Sequence, residues 1–397
     1  STASWGADSP FDSYQWTFDG TVVGKGKRLT RSALASGSHT LSLTVTRDGC
    51  TASNSRSFNV SSPVSAVVTS NPSVRAKSIG NTASVPDAGP GATYLWTISR
   101  GSITAGQGTR TVTFTAGTTG SVTLSVTVTN SGGCSAPGNV AVLIVSSDFN
   151  ANGQSDLVWR NASTGENVVW LMNGLSVSSL SAPPSVFDLN WKIGGAADFD
   201  ADGQPDILWR NTADGRNIVW LMNGTSVASQ PPLPPVADQN WQMAGVADFD
   251  GDGKPDILWR NGATGENVVW VMNGTEVTSL MPLPTVAALN WKIGGTGDLD
   301  GDGKPDIVWR NAATGQDTIW LMNGNVIGSQ VPLPGVADLS WQIVGVADLD
   351  GDGKADLVWR HAVSGANTVW RMNGTVVAST APLPQVADPA WKLVGPR

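Results

Sequence analysis

Cysteine is nearly absent from this 397-residue chain, which has only Cys50 and Cys134. That excludes a disulfide framework and a thiolate metal site. Histidine is equally scarce, with only His39 and His361. No nucleophile–base pair stands out, so no enzymatic chemistry is expected. Long apolar runs are missing too. Runs such as residues 141–145 fall far short of the roughly 20 residues a membrane helix needs. No stretch shows helical periodicity. There is no basic excess either: 24 Lys and Arg face 32 Asp and Glu, a net charge of −8, which argues against a nucleic-acid partner. A signal-peptide pattern is lacking, so the chain reads as processed or as a fragment.

What is present is turn and strand chemistry. Glycine (46 residues), Ser/Thr and short β-branched runs predict an all-β protein. The length predicts two or three domains. The chain divides near Ser147, and beyond it the period is strict. Asp148, Asp198, Asp248, Asp298 and Asp348 are spaced by 50, as are Trp159, Trp209, Trp259, Trp309 and Trp359. Trp170 and Trp191 begin similar series, so fifteen of the eighteen tryptophans lie on three series. Strand-rich repeats of this length predict propeller blades, each a four-stranded sheet.

The second repeat shows the expected blade. Residues 241–247 form the inner strand of the next blade, and an acidic loop follows each inner strand. Asp206–Asn211 is the second strand. Residues 211–217, with Gly215, make a turn, and 217–222 form the third strand. Asn223-Gly224 signals a two-residue hairpin turn into an outer strand over 225–229. The Pro-rich segment 231–240 then crosses over, its prolines expected to end ladder pairing.

The acidic loop carries the clearest chemistry. In repeat two it reads Asp198-x-Asp200-x-Asp202-Gly203-x-x-Asp206. Oxygen ligands at alternating positions and a glycine for a sharp turn suit a hard cation. The seventh residue, Gln204, would contribute its carbonyl. An EF-hand needs Glu at position twelve, where Trp209 stands, so the loop joins two strands instead. Repeats three to five keep all four aspartates: Asp248, Asp250, Asp252 and Asp256; Asp298, Asp300, Asp302 and Asp306; Asp348, Asp350, Asp352 and Asp356. Repeat one has Asp148, Asn150, Asn152 and Asp156. These loops hold 18 of the 32 acids.

The loop and the D-[IL]-[VL]-W-R strand after it resemble the FG-GAP/VCBS repeats of integrin-like propellers and some propeller lectins. The resemblance covers residues 148–397. It implies Ca²⁺ in each loop, about five ions, and ligand recognition elsewhere on the propeller. Relatives often have seven blades, whereas this chain has five repeats. The repeats start at the loop and end on the strand 391–395, which is expected to supply the first blade's missing inner strand. A competing assignment gives that place to 141–145.

Residues 1–147 hold two related segments. Tyr14-Gln15-Trp16-Thr17 matches Tyr94-Leu95-Trp96-Thr97, and Cys50 matches Cys134. A Trp on a central strand with alternating late strands suggests immunoglobulin-like sandwiches. The pair is similar to the PKD/Ig-like spacers of bacterial surface proteins. The expected domains are 1–62, 63–147 and 148–397: two Ig-like/PKD-like β-sandwiches, then a five-bladed β-propeller.

These features point to an extracellular protein, secreted or at the cell surface, that does not span a membrane. It is expected to bind calcium and to act in recognition or adhesion, its partner a carbohydrate or an extracellular or surface protein. A structural stalk or self-assembling filament subunit is the alternative. The ligand candidates lie opposite the acidic loops: Asp188, Asn190 and Trp191, with Asp238, Asn240 and Trp241. Only these two repeats hold the complete set. The tryptophan series is expected mainly to pack between blades, and Arg160 and its equivalents to pair with local acids or carbonyls. His361, where other repeats have Asn, reads as drift.

Overall fold

The computed structural model describes residues 2–6, 10–60, 63–117, 121–145 and 147–395. No helix occurs among them, and the fold is all-β.

In the first segment, a four-stranded sheet runs Thr21–Gly24, Ser13–Phe18, Gly37–Arg47, Cys50–Val60. Thr2–Gly6 pairs with Arg28–Ser32. Alternation turns Tyr14, Trp16 and Phe18 inward, where Trp16 and Phe18 pack with Leu29 and Leu41. The next segment has two four-stranded sheets. One contains Thr93–Ser99, Ser121–Thr129, Ser135–Val145 and Ser73–Arg75; the other contains Gly101–Ala105, Thr111–Ala116, Asn81–Ser84 and Thr69–Ser70. Trp96, Phe114 and Leu124 are fully buried. Cys50 and Cys134 are both free and exposed. By compactness the chain falls into two units: Ser1–Val67, Pro86–Leu95 and Thr127–Gly138, and Val68–Val85, Trp96–Val126 and Asn139–Arg397. The boundary therefore runs through the second segment.

The repeats form five antiparallel sheets in a propeller-like array. In the second sheet Trp191–Ala197 pairs with Asp206–Asn211, which pairs with Asn217–Asn223, and Ser226–Ser229 lies outermost. The first sheet takes its inner strand from the C-terminus: Trp391–Gly395 pairs with Leu157–Asn161, Asn161 opposite Trp391. Residues 141–145 belong instead to the sandwich strand Ser135–Val145. The fifth repeat meets the first through the contacts that join other neighbours. Ala162 N–H donates to Ala390 O at 2.8 Å, as Gly262 N–H does to Asn240 O at 2.8 Å. Arg360 lies 4.9 Å from the Trp159 ring centre, as Arg160 lies 5.0 Å from that of Trp209.

Two local expectations are corrected. Pro232–Leu233 pairs with Asn217 and Ile218, and in repeat three the outer strand runs unbroken over Glu276–Leu283 with Pro282 opposite Val268. Proline is tolerated because this is an edge strand, where its missing N–H removes no ladder bond. The two-residue turn is also shifted by one: Asn223 pairs with Ser226, leaving Gly224 and Thr225 in the turn. Only Gly224 has positive φ, 58°. Glycine at the first central position is the type II′ requirement, not the type I′ that Asn-Gly suggests.

Candidate functional site

In repeats two to five each acidic loop links an inner strand to the second strand of its sheet, whereas loop one leads into Leu157–Asn161, whose inner neighbour comes from the C-terminus. The first and ninth aspartates of the loop are buried in every repeat, and they organise its backbone. Asp198 Oδ1 accepts from Asp202 N–H at 3.1 Å and Oδ2 from Gly203 N–H at 2.9 Å. Asp206 Oδ2 accepts from Phe199 N–H at 2.8 Å, and its Oδ1 from Met222 N–H at 2.8 Å. The ninth aspartate thus clamps the loop to the third strand, and Asp156, Asp256, Asp306 and Asp356 repeat this.

Gly203 has φ 89°, the left-handed turn expected at position six. Position four also requires positive φ: Gly251, Gly301 and Gly351 occupy it in repeats three to five, whereas Ala151 and Ala201 adopt 63° and 62°. Non-glycine residues reach that region at a steric cost. In the glycine loops the position-four N–H binds the first aspartate, as Gly251 does Asp248 at 2.8 Å. The alanine loops use position five instead, as Asn152 does with Asp148 at 3.1 Å.

Carboxylate oxygens of Asp198, Asp200 and Asp206 lie within 4.8 Å of one another, as do those of Asp248, Asp250 and Asp256 and of Asp348, Asp350 and Asp356. In repeat four the group is Asp298, Asp300 and Asp302. Oxygens on opposite sides of Ca²⁺ stand about 4.6–5.2 Å apart, since each bond is about 2.3–2.6 Å. The donor set, all hard oxygen, therefore fits a calcium-sized cation. Loop one has two carboxylates, Asp148 and Asp156, with the amides of Asn150 and Asn152. Asp202, Asp252 and Asp352 fall outside the three-membered groups of their loops. Asp252 and Asp352 each meet a lysine, Lys254 and Lys354, at 3.1 and 3.5 Å.

These carboxylates are electrostatically stressed. Burial pushes Asp206 up to about 8 and Asp156, Asp256, Asp306 and Asp356 up to about 7, against the opposing pull of backbone N–H groups. Burial raises Asp198 to about 6, with Asp200 and Asp202 adding repulsion. Carboxyl groups this reluctant to ionise are favourable partners for a cation that supplies the missing charge.

The ligand candidates are occupied by local structure. Asp188 Oδ1 accepts from Asn190 N–H at 3.0 Å and from its Nδ2 at 2.9 Å, and Oδ2 accepts from Asn211 Nδ2 of the next repeat at 3.1 Å. Asp238 does the same with Asn240 and Asn261. His361 takes the place of that Asn and reaches Asp338 Oδ2 at 3.0 Å, so it conserves the inter-repeat link. The Trp191 face is covered by Arg216, 5.5 Å from the ring centre. Trp241 instead lines an apolar cleft with Trp259, Trp270, Val236, Val268 and Leu280. Trp159 and its equivalents are fully buried, each under the arginine of the preceding repeat. Those arginines spend their N–H groups chiefly on carbonyls: Arg160 donates to Gly165 O, Val186 O and Trp191 O. Arg310 also pairs with buried Asp317 at 3.0 Å.

Fold and site together define an all-β chain with acidic-loop repeats in a propeller-like array behind β-sandwich segments. Comparison with known proteins agrees. The family model of FG-GAP-like repeats matches residues 148–209, 198–259 and 298–359, and that of the PKD-like domain matches 62–142. No curated protein matches the chain. Among solved structures, a nidogen/laminin complex is similar at 13% identity and TM-score 0.36 over 60% of this chain and 96% of its own. The Dos1 propeller is similar at 12% identity and TM-score 0.30, over 83% and 84%. A quinoprotein alcohol dehydrogenase-like protein from Bacteroides thetaiotaomicron is similar at 10% identity and TM-score 0.29, over 96% and 90%.

Proposed function

We propose that this is a calcium-loaded, non-enzymatic recognition or adhesion protein of the cell exterior, with carbohydrate or surface protein as its partner. The observation that carries the reading is the five-fold recurrence of an oxygen-lined loop whose first and ninth aspartates are buried, with three carboxylates crowded together in four of the five loops. FG-GAP-like repeats and PKD-like domains are typical of extracellular adhesion and recognition proteins, which supports the location. Calcium would be held by the loop aspartates and, in loop one, by Asn150 and Asn152. Its contribution is charge neutralisation and a rigid loop. Catalysis finds no support in the histidines: both ring nitrogens of His39 are engaged, by Asp19 at 2.7 Å and Ala35 O at 2.8 Å, and His361 is a link between repeats.

Of the two candidate ligand sites, the one at Trp241 has an open apolar platform and is the better sugar-stacking surface. The test is an array of glycans and matrix proteins probed with and without calcium. Calcium-dependent capture of a saccharide or a surface protein supports the reading, and capture of nothing favours the stalk or filament alternative. That alternative draws on a specific observation: the polar groups of both candidate sites already satisfy one another.

The double variant Asn190→Ala/Asn240→Ala should melt like the parent, because Ala390 occupies the equivalent place in repeat five and, among the described residues, the asparagine side chains bond within their own turns. If these turns hold the ligand, affinity should fall about five- to tenfold, the loss of about one hydrogen bond. Unchanged affinity removes them from the site.

A further inference from the structure

The five acidic loops are chemically unequal, and arginines account for part of the difference. We propose that Arg100 is a built-in counter-cation of loop three, making it a weak calcium site, while loop two is the tightest. The proposal rests on the calcium reading above. Arg100 Nε lies 3.2 Å from Asp248 Oδ2, with 12% of the arginine side chain and 1% of the aspartate exposed. Asp248 Oδ2 also accepts from Gly253 N–H at 2.9 Å and Oδ1 from Gly251 N–H at 2.8 Å. The first carboxylate of loop three therefore meets two N–H groups and a fixed positive charge before any metal arrives. Arg100 is set for this contact by its backbone. It sits between Thr93–Ser99 and Gly101–Ala105 with φ 51°, a region that non-glycine residues enter only when their surroundings hold them there.

Guanidinium cannot give up its proton in a protein, so a divalent ion entering loop three must displace it or bind against its repulsion. Loop two has no such neighbour: among the described residues no Lys or Arg forms an ion pair with Asp198, Asp200, Asp202 or Asp206. Loops one and five repeat the device more weakly: in loop one Arg75 Nε lies 3.9 Å from Asp148 Oδ2, the arginine side chain 30% exposed. In loop five Arg371 Nε lies 3.4 Å from Asp350 Oδ2, the arginine side chain 41% exposed, where repeats one, two and four carry Leu171, Leu221 and Leu321. Lysine pairs at position seven are common to loops three, four and five. They are solvent-screened and do not separate these loops.

The test is calcium titration of the full chain against a chromophoric chelator, with a thermal melt of each variant as a folding control. Arg100→Gln should strengthen one stepwise constant at least about tenfold. Arg371→Leu, which restores the residue of repeats one, two and four, should strengthen another by a smaller factor. Asp200→Asn should weaken the tightest constant at least tenfold, and Asp250→Asn should leave it unchanged. The proposal is overturned if Asp250→Asn weakens the tightest constant as much as Asp200→Asn, or if neither arginine variant changes any constant. A parent chain that binds no calcium at millimolar concentration removes the calcium reading itself, a result visible before any variant is made.

Discussion

Removing calcium with a chelator should lower the melting temperature of the repeat region by about 10–20 °C. A site held at about a hundredfold its Kd stabilises the folded state by about 2.7 kcal/mol. In a domain of about 250 residues, about 1 kcal/mol moves Tm by about 2–4 °C. Two tight loops are enough to produce the shift. The loops contain 18 of the 32 acids, and five Ca²⁺ would take the net charge from −8 to +2. A scan of the full chain in excess calcium and in excess chelator at pH 7.5 measures this. Superimposable curves would sink the claim that the loops hold a stabilising ion.

The metal-free chain should also show an inverted pH dependence. The ninth aspartates are pushed up to about 7, and Asp206 to about 8, above the usual carboxylate value of about 3.9 in the unfolded chain. The folded state without metal thus holds protons that the unfolded state releases. The stability this contributes is fully present below about pH 4 and is lost as pH rises through about 7–8. In chelator the protein should melt higher at pH 5.5 than at pH 8.5. With calcium, which takes the place of those protons, the dependence should flatten or reverse. Equal chelator effects at both pH values would show that these aspartates are not linked to the metal.

The loops were legible because an oxygen-rich turn is written locally: alternating Asp or Asn side chains, a glycine at position six and a 50-residue period all lie within one stretch of chain. The inner strand's C-terminal origin was legible for the same reason, as a phase mismatch between the first repeat and the last. What lay beyond the repeat unit was not legible. Ala151 and Ala201 hide the positive φ that Gly251 and Gly301 advertise. Proline at position 282 looks like a terminator until its strand is known to be an edge. Asp188 looked available because one of its partners, Asn211, belongs to the next repeat. Arg100 carries no motif, and its contact with Asp248 exists only because the tertiary fold sets a sandwich turn against loop three. Long-range electrostatic pairs leave no periodic trace, so sequence patterning misses them.

Deleting residues 391–397 should destabilise the array more than any single core substitution and should promote self-association. Trp391–Gly395 is the inner strand of the first sheet, and its loss leaves Leu157–Asn161 as an unpaired edge of buried residues. Leu393 is 2% exposed and packs in the cluster of Trp159, Trp170 and Val344. The strand also touches the inner strands of repeats two and five, so the truncation opens both neighbouring junctions at once. Leu393→Ala alone should cost about 2–5 kcal/mol, the usual range for a buried leucine. The truncation should exceed it, because backbone pairing is lost along with apolar burial, and a bare hydrophobic edge recruits other chains. Thermal melts of parent, Leu393→Ala and the truncation, with size-exclusion chromatography of each, decide the point. If the truncated chain melts and elutes like the parent, the C-terminal strand does not join the last repeat to the first.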